Sequence, residues 1–525
     1  MHTIIKHNNY YKTIEQGIKQ GRKVMDQTLN MVPAANRRRP LVKENVSITL
    51  FFADVIAMSL SFILAFFTAQ GIKEWLQPDV YDKPLYEYAH ISDLFFLWFC
   101  PVVLFLFFSR GHYTKRVPWW SQVQSVLSIC IRILFLDLFT RLALDMSFSR
   151  SLIALSWVYA FFFIIGGRQI VYQIARKKGI WRIPTIVIGD NETVTNMLYA
   201  FATDHYTGYD IKTVCLRDKE KAEFSVDAIP KKYANIDINR DQIDIKKYVS
   251  EHIDNFFIIS METFRGDDRD KLIAILTELN ALYAIVPPTS RISTFDMEPN
   301  YFFGYDIMLL NAKKATLSPV GRFTKRVMDI VIASTALLLL LPIMIATAIM
   351  LKVEGQGGSI FYGGKRIGRN GKKFSCWKFR SMEPDSDHLL HELLEKDPVA
   401  QQEWETYRKL KGPDPRVTTK TARVIRKTSI DELPQLWNVI KGDMSLVGPR
   451  PILDNEVELF GDSINHYMQL RPGITGLWQV SGRNDTSFQR RVYWDSWYAR
   501  NWSFWGDLVI MIKTLRVVTG GSGAY

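Results

Sequence analysis

The chain has 525 residues, a formal net charge of +13 and hydrophobic residues at 47% of its positions. Its mean hydropathy of -0.03 is near zero, so the apolar residues must be concentrated in segments, as in a protein that is partly membrane-embedded and partly soluble. The length exceeds what one hydrophobic core usually supports, which predicts several domains. The basic charge fits nucleic acid, anionic lipid or phosphorylated substrates and does not choose among them.

The cysteines are scattered, with no CxxC pair and no histidine pair at metal-binding spacing. They are Cys100, Cys130, Cys215 and Cys376. Neither a zinc site nor a disulfide framework is therefore expected, and the soluble parts should be cytoplasmic.

The first third of the chain alternates basic and apolar segments. Residues 1–45 are polar, end in a basic cluster and lack the apolar core of a signal peptide, so we expect a cytoplasmic N-terminal tail. Four apolar stretches follow, at about 46–70, 92–109, 126–144 and 151–170. Each approaches the ~20 residues that span a bilayer, which predicts a four-transmembrane-helix bundle over residues 46–172. Its termini should be cytoplasmic, because basic residues beginning at Arg168 follow the fourth stretch.

The third stretch carries the charged residues Arg132, Asp137 and Arg141. Charges that face lipid are costly, so these side chains should face the bundle, where an ionisable group is a candidate functional residue. Asp137 and Arg141 are four positions apart and can also pair on one helix face, and Arg141 is close enough to the helix end to snorkel. The spacing favours the structural role over the functional one.

Residues 173–318 are predicted to form a Rossmann-like cytoplasmic domain. Apolar runs at 185–189, 255–260 and 282–286 alternate with helical patterns, which is typical of a parallel sheet. The turn after the first run lacks the second and third glycines of a dinucleotide fingerprint. This argues against a bound dinucleotide, and so against a membrane nucleotide-sugar dehydratase, and favours a scaffolding or regulatory domain.

The apolar run Ile330–Met350 has the length of a membrane span but contains Pro342 near its middle. Basic residues flank both of its ends, which is the cytoplasmic pattern on each side. We therefore predict a re-entrant, proline-kinked membrane helix over residues 322–352 that enters and leaves on the cytoplasmic face. An ordinary fifth span with a proline kink is the alternative.

Two basic residues after this helix suit phosphate binding. Lys378 and Arg380 alternate in the strand-like run WKFRSM, so they should point to one face of the strand. There they could clamp a diphosphate, with arginine forming bidentate contacts to phosphate oxygens.

The segment at 426–451, RKTSIDELPQLWNVIKGDMSLVGPRP, contains the adjacent carboxylates Asp431 and Glu432. Ser429 and Glu432 fit a capping box, but Pro434 would then occupy a position where a helix needs a backbone donor. A helix that begins near Pro434 leaves both carboxylates at its N-terminal end. Two carboxylates would repel a diphosphate unless a divalent cation intervened, which predicts Mg²⁺ held by Asp431 and Glu432.

From about Gly321 to Tyr525 the chain resembles the polyprenyl-phosphate hexose-1-phosphate transferases, also called monotopic phosphoglycosyl transferases. The resemblance rests on features in a shared order: a proline-broken membrane helix, KFRSM, DPRVT, the segment at 426–451 and RPGITGLWQVSGR. The preceding bundle and Rossmann-like domain are similar to the large subgroup of this family. Gly364 and Thr421 depart from the family, in which many members have glutamine and glycine there.

The resemblance implies a membrane α/β protein in which residues 319–525 form a monotopic catalytic domain. It implies transfer of hexose 1-phosphate from UDP-hexose to undecaprenyl phosphate, with release of UMP, in O-antigen, capsule or exopolysaccharide synthesis. In that family the first carboxylate of the pair, here Asp431, is the covalent nucleophile and the second, Glu432, is its partner. The substrate-binding arginines correspond to Arg426 and Arg450.

The resemblance also implies a multi-pass protein of the bacterial inner membrane with its catalytic domain facing the cytoplasm and in contact with membrane lipid. Overall similarity favours galactose as the sugar, with glucose as the alternative. A non-catalytic scaffold of a polysaccharide assembly complex is a second class of function, but the clustered carboxylates and guanidinium groups argue against it. No nucleic-acid partner is expected, and a homodimer is a further expectation.

Overall fold

The chain divides into two compact units, Met1–Pro288 and Thr289–Tyr525, which are described separately. The computed structural model describes residues 44–76, 96–145, 149–204, 206–216, 229–239, 245–264, 267–287, 299–301, 308–310, 319–354, 358–383, 387–407, 414–481 and 488–519. The predicted N-terminal tail lies outside the described residues except for its last two positions.

The first unit begins with four helices. They are α1 (Glu44–Leu76), α2 (Phe96–Ser109), α3 (Trp119–Ala143) and α4 (Arg150–Lys177). Within the described residues, three helical segments are long and apolar enough to cross a membrane: Asn45–Ile72, Arg150–Lys177 and, in the second unit, Pro319–Glu354. The described part of α2 has 14 residues, and α3 has 25 but carries three charged residues. Membrane association is thus supported, and the four-span bundle stays a prediction.

The charged residues of α3 divide between two environments. Asp137 and Arg141 are buried and paired, with Arg141 Nε 2.6 Å from Asp137 Oδ1, which confirms the predicted structural pair. Trp157 of α4 donates a hydrogen bond to the same carboxylate. Because Arg141 is only 1% exposed, the expectation that it snorkels is wrong. The expectation that Arg132 faces the bundle is also wrong: it is exposed, and its guanidinium bonds Ser128 one turn earlier on its own helix.

A second buried ion pair joins α1 to α4. Arg168 donates to both carboxylate oxygens of Asp54, at 3.0 and 2.7 Å, and neither side chain is more than 1% exposed. Tyr113 Oη donates to the same carboxylate at 2.7 Å, and His112 Nδ1 lies 2.6 Å from the Arg168 guanidinium. Arg168 was predicted to follow the fourth helix as a cytoplasmic charge. This is wrong, because α4 continues to Lys177 and carries Arg168 inside the unit.

The rest of the first unit is a five-stranded sheet with strand order β3-β2-β1-β4-β5, parallel throughout. Its strands are β1 (Ile183–Gly189), β2 (Tyr209–Leu216), β3 (Asp237–Asn239), β4 (Phe256–Ser260) and β5 (Leu282–Val286). Its helices are α5 (Asn191–Thr203), α6 (Ile245–Glu251) and α7 (Asp267–Glu278). The predicted Rossmann-like sheet is confirmed, although the sequence patterns did not locate β2 and β3.

The turn after β1 is occupied by a side chain of the protein itself. Asp190 accepts hydrogen bonds from the Thr193 backbone N–H and from the hydroxyl groups of Ser260 and Thr263. Its carboxylate therefore caps α5 at the position where a dinucleotide fold places the pyrophosphate. A carboxylate there repels phosphate, which agrees with the expectation that this domain holds no dinucleotide.

The second unit contains the helix predicted to be re-entrant. Its described elements begin with a hairpin of β6 (Pro299–Tyr301) and β7 (Met308–Leu310) and the helix α8 (Pro319–Glu354). The helix α8 is continuous through Pro342 and longer at each end than predicted. One of its faces packs against the rest of the second unit, while Leu338 and Leu339 on the other face are each 73% exposed.

The other described strands and helices of the second unit follow α8. The strands are β8 (Phe361–Ile367), β9 (Lys373–Phe379), β10 (Ser445–Val447) and β11 (Gly473–Thr475). The helices are α9 (Asp387–Lys396), α10 (Pro398–Tyr407), α11 (Lys420–Lys427), α12 (Gln435–Lys441), α13 (Ile464–Met468), α14 (Leu477–Ser481), α15 (Phe488–Arg500) and α16 (Phe504–Thr519). The strands β8 and β9 form an antiparallel hairpin, and β10 and β11 pair in parallel.

The core of this unit forms between α8 and the elements around β10. Ala333 of α8, Val439 of α12 and Val447 of β10 are all fully buried in one cluster. The amphipathic rings of Trp494 and Tyr498 on α15 would suit the headgroup depth of a membrane, which predicts an interfacial position for them. This prediction is wrong, because both side chains are buried in the protein.

Candidate functional site

The adjacent carboxylates lie in a single 3₁₀ turn, Ile430–Glu432, between α11 and α12. This confirms that the following helix begins near Pro434, since α12 starts at Gln435. Ser429 is not a helix cap: its backbone is left-handed, with φ of 57°, and its side chain makes no capping bond. A non-glycine residue rarely adopts this conformation, and such strain is common at functional turns.

Lys378 lies directly against the second carboxylate. It projects from β9, and its Nζ donates to Glu432 Oε1 at 2.6 Å. Burial disfavours the charged form of both groups, but their mutual attraction lowers the pKa of Glu432 and raises the pKa of Lys378. Both therefore stay ionised around neutral pH.

Asp431 has the opposite electrostatic character. Burial, followed by the negative charge of Glu432, raises the pKa of Asp431 to about 6, against the opposing charges of Lys378 and Arg426. The two carboxylates thus differ in their surroundings: Glu432 is held by a lysine, whereas Asp431 is a half-buried carboxylate with a raised pKa. A pair of neighbouring acids whose pKa values are driven apart is common at catalytic sites.

Arg426 at the end of α11 is oriented by a carboxylate that sequence reasoning did not single out. Its Nη2 lies 3.5 Å from Asp414 Oδ2. Asp414 also accepts two hydrogen bonds from Arg416, at 2.9 and 3.0 Å. Burial alone would raise the pKa of Asp414, but these arginine contacts lower it, so it stays charged beside Arg426. Asp414 is the first residue of the DPRVT motif, but the motif did not indicate that Asp414 contacts Arg426.

Arg450 follows β10, and its charge helps to lower the pKa of Glu432. Its guanidinium carbon lies 5.4 Å from the centre of the Trp478 ring, and Arg491 lies at the same distance from that ring. The Arg450 backbone N–H donates to Asp495 Oδ2 at 3.3 Å. The guanidinium of Arg450 therefore lies near an aromatic ring, and its backbone is held by a buried carboxyl group.

The turn that carries Arg450 depends on a close approach of two backbones. Gly448 donates its N–H to the Thr475 carbonyl, and Gly473 donates to the Pro449 carbonyl, both at 2.9 Å. A Cβ atom at Gly448 would lie 2.4 Å from the Arg471 carbonyl oxygen. Only glycine fits there, which explains the glycine that precedes the Pro-Arg-Pro sequence.

Asp495, Arg491 and Trp478 form a charged cluster that the sequence patterns did not reveal. Asp495 is 2% exposed, and burial raises its pKa to about 8 against the Arg450 N–H and the charges of both arginines. Burial and the charge of Arg450 lower the pKa of Arg491 to about 10. Within the part of the chain that the structure describes, Asp495 Oδ1 has no hydrogen-bond partner. Trp478 belongs to the RPGITGLWQVSGR motif, which was the available signal.

Arg380 lies just after the end of β9 at Phe379. Its backbone N–H still donates to the Ile360 carbonyl at 2.8 Å, which continues the pairing of the β8–β9 hairpin, and Lys378 lies opposite Tyr362 in that hairpin. Arg380 Nε donates to the Ser359 carbonyl at 2.8 Å, and its guanidinium carbon lies 5.7 Å from the Tyr362 ring. The diphosphate clamp formed by Lys378 and Arg380 stays a prediction.

Comparison with known proteins decides the family. Residues 320–521 match the family described as bacterial sugar transferase. The undecaprenyl-phosphate galactose phosphotransferase of Salmonella typhimurium is 34% identical over 482 residues, which cover 91% of this chain and 96% of that protein. The chain belongs to the bacterial sugar transferase family.

Two further relatives match different lengths of the chain. The UDP-galactose-lipid carrier transferase of Erwinia amylovora is 36% identical over 79% of this chain and 84% of its own length. The exopolysaccharide production protein ExoY of Sinorhizobium fredii is 48% identical over 209 residues, which cover 40% of this sugar transferase and 91% of ExoY. The expected family and enzyme class, a phosphoglycosyl transferase, are thereby confirmed.

Proposed function

We propose that this enzyme transfers a hexose 1-phosphate, with galactose as the favoured sugar, from UDP-hexose to undecaprenyl phosphate and releases UMP. The names of two full-length relatives support the lipid acceptor and galactose. The observation that carries the chemistry is the carboxylate pair in one turn, with Asp431 half-buried and Glu432 held by Lys378. The reaction would begin a polysaccharide at the bacterial inner membrane, with the catalytic unit on the cytoplasmic side, where nucleotide-sugars are made.

The proposed route has two displacements at the same phosphorus. Asp431 attacks the β-phosphorus of UDP-hexose, the bond to the bridging oxygen breaks, and UMP leaves with that oxygen. The hexose phosphate is then held as a mixed anhydride on Asp431. An oxygen of the lipid phosphate attacks the same phosphorus, which yields the lipid-linked diphospho-hexose and restores the Asp431 carboxylate.

The surrounding cations have separate tasks in this proposal. Lys378 keeps Glu432 ionised and oriented, and Arg426 and Arg450 share the negative charge that accumulates on the phosphate oxygens. The carboxyl group of Asp431, which lies beside the negative charge of Glu432, is a poor nucleophile when it is protonated. Asp431 must therefore lose its proton before the first displacement.

The donor set also fits Mg²⁺, which usually binds one or two carboxylates together with substrate phosphates. Burial and the negative charge of Glu432 raise the pKa of Asp431, so a nearby cation would stabilise its ionised form. Glu432 is already paired with Lys378. We propose that Asp431 holds the ion, with Glu432 assisting. When bound, Mg²⁺ would neutralise the diphosphate and stabilise the departing UMP.

We also propose that α8 enters and leaves the membrane on one side. Near its start Lys325 donates to Asp507 at 2.7 Å, and at its end Glu354 accepts from the Thr421 hydroxyl at 2.6 Å. Both partners belong to the same catalytic unit. A helix attached to that unit at both ends, with an exposed apolar face between them, fits a re-entrant arrangement better than a span. A homodimer stays a prediction.

The decisive experiment separates the covalent route from direct attack by the lipid. Purified enzyme freed of polyprenyl phosphate is incubated with Mg²⁺ and UDP-hexose labelled in the sugar. The covalent route predicts UMP release of about one equivalent per active site and a hexose-phosphate mass on the peptide that contains Asp431. Asp431→Asn should lose both signals and all turnover.

A matched control is Asp443→Asn, which removes an acidic side chain just after the neighbouring helix α12. It should retain UMP release and adduct. Turnover in Asp431→Asn, or label retained on another peptide, would contradict the nucleophile assignment. Running the same assay with UDP-galactose and UDP-glucose decides the sugar.

A further inference from the structure

A small, mostly apolar pocket lies beside the carboxylate turn. It has a volume of about 200 Å³ and is enclosed by the turn, by the start of α12 and by β11, α14 and α16. Ile430, Leu433, Leu436, Ile474 and Val480 form its apolar wall, and Glu432 also lines it. The residues that enclose it include no lysine or arginine. The turn thus has a cationic side at Lys378 and Arg426 and an apolar side at this pocket.

The volume limits what can bind. Pockets that hold drug-sized ligands typically measure about 300–1,000 Å³, so this one is too small for a complete nucleotide-sugar. An apolar cavity of about 150 Å³ is known to bind benzene, so the pocket suits roughly one or two five-carbon isoprenoid units.

Two polar residues of the pocket wall need no polar ligand. The Thr475 and Thr514 hydroxyl oxygens are 2.7 Å apart, and Thr514 also donates to the Ile510 carbonyl at 2.8 Å. Their hydrogen-bonding capacity is met within the protein. A hydrocarbon can therefore contact these two threonines without leaving their hydroxyl groups unsatisfied, whereas Gln479 Oε1, also in the wall, is buried without a hydrogen-bond partner among the described residues.

The pocket is continuous with the packing of the membrane helix α8. Leu436, Ile474 and Val480 belong to the same apolar cluster as Ala333 and Leu340 of α8. On the other wall, Ile430 packs in the cluster that contains Leu351 of α8. The apolar wall of the pocket thus packs in the same interior clusters as the helix that is long and apolar enough to enter a bilayer.

We propose that this pocket binds the isoprenoid units adjoining the phosphate of the polyprenyl phosphate acceptor. The proposal rests on the proposed function, which requires one nucleophile to meet a soluble sugar donor and then a lipid phosphate. The cationic side of the turn receives the donor, and the apolar side holds the first carbons of the lipid. The lipid phosphate then reaches the phosphorus on Asp431 beside Glu432, whose charge is balanced by Lys378.

Pocket-filling and matched control variants test the proposal in the full-length enzyme. Val480→Trp reduces the pocket volume, so the KM for undecaprenyl phosphate should rise tenfold or more, while UMP release without lipid stays near the wild-type level. Val399→Trp makes the same change on α10, where Val399 is 67% exposed, and should alter neither quantity. An unchanged KM in Val480→Trp, with normal UMP release, would overturn the pocket assignment.

Photo-crosslinking of the wild-type enzyme decides the question even if Val480→Trp misfolds. The probe is farnesyl phosphate with a diazirine on the isoprenoid unit next to the phosphate. Crosslinks should fall on peptides covering 430–436 or 474–480, and excess undecaprenyl phosphate should abolish them. Competition by phosphatidylglycerol to the same extent would show general lipid binding and overturn the proposal, as would crosslinks confined to Leu338 and Leu339.

The two proposals fail in different ways. Absence of UMP release and adduct in wild-type enzyme would reject the covalent route, whereas the crosslinking pattern would still test the pocket. A normal adduct combined with crosslinks elsewhere would reject the pocket and leave the covalent route intact.

Discussion

The Lys378 ammonium lies 2.6 Å from the Glu432 carboxylate, and each side chain is about one-third exposed. The pair joins β9 to the carboxylate turn across 54 positions of sequence. It keeps Glu432 ionised and leaves Asp431, in our proposal, as the carboxylate that attacks the phosphorus. The pair thus separates the roles of two chemically similar side chains.

Loss of Lys378 should therefore impair catalysis more than it impairs folding. Lys378→Met removes the cation that balances the turn, so kcat/KM should fall about a hundredfold or more. The control is Lys373→Met on the same strand, which breaks a pair with Asp454 in which both side chains are about 60% exposed. Such surface pairs contribute little, so this variant should retain near wild-type activity. Equal losses in both variants would contradict the role given to Lys378.

The pH dependence of adduct formation should report the ionisation of the carboxylate pair. Because the pKa of Asp431 is raised to about 6, the rate should fall as the pH drops through that value. Glu432→Gln removes a neighbouring negative charge and lowers the pKa of Asp431, so the rising limb should move to lower pH. Single-turnover UMP release between about pH 5 and pH 8 measures both profiles. A shift to higher pH would show that Glu432 does not act on Asp431 in this way.

Asp495 should tolerate asparagine better than alanine. With a pKa of about 8 it is largely protonated at pH 7, and Asn preserves its shape and the acceptor for the Arg450 N–H. Asp495→Ala leaves that donor unsatisfied, which costs about 1–3 kcal/mol. Its apparent melting temperature should therefore fall by several degrees, whereas that of Asp495→Asn should change little at pH 7.

The same carboxyl should make wild-type stability depend on pH. The folded state keeps the Asp495 proton up to about pH 8, whereas the unfolded chain releases it near the ordinary value for aspartate. Rising pH therefore favours unfolding until the carboxyl ionises in the folded state. From pH 6 to pH 9 the melting temperature should fall less in Asp495→Asn than in wild type. Parallel curves would mean that Asp495 is already ionised at neutral pH.

The Asp54–Arg168 pair should stabilise the helices of the first unit. Arg168→Met leaves a buried carboxylate without its cation, and breaking such a pair costs about 3–5 kcal/mol. Thermal unfolding in detergent should show a clear loss, and the double variant Asp54→Leu/Arg168→Met should recover much of it. The exposed pair Arg269–Asp270 supplies the control, because Arg269→Met should have little effect. A double variant less stable than Arg168→Met would argue for a role beyond charge balance.

Labelling in intact cells should locate the two ends of α8. Single cysteines are placed at Arg322 and Ser359 in a background without the native cysteines. If α8 is re-entrant, both should resist an impermeant maleimide added outside and react only after the membrane is opened. Labelling of Ser359→Cys from outside would favour an ordinary span.

The sequence by itself determined the family, the parallel sheet of the first unit and the position of the carboxylate pair. These features are local or periodic: alternating apolar runs predict strands, and Pro434 indicates where α12 can begin. The ordered motifs from α8 to the C-terminal segment then indicated the enzyme class, which the full-length relatives confirm. Each of these inferences needs only neighbouring residues.

Only the tertiary structure decided which charged groups from distant parts of the sequence meet. The sequence suggested that Arg168 flanks the fourth helix, but α4 continues past it to Lys177. Lys378 pairs with Glu432, whereas Arg380, two residues later, donates to the Ser359 carbonyl. The support of Arg450 by Trp478 and Asp495, and the apolar pocket beside Glu432, likewise join segments that are distant in sequence. The physical reason is that an ion pair or a cavity depends on the packing of whole elements. A one-residue change in where a strand or helix ends redirects the side chain, and local sequence patterns do not fix that position.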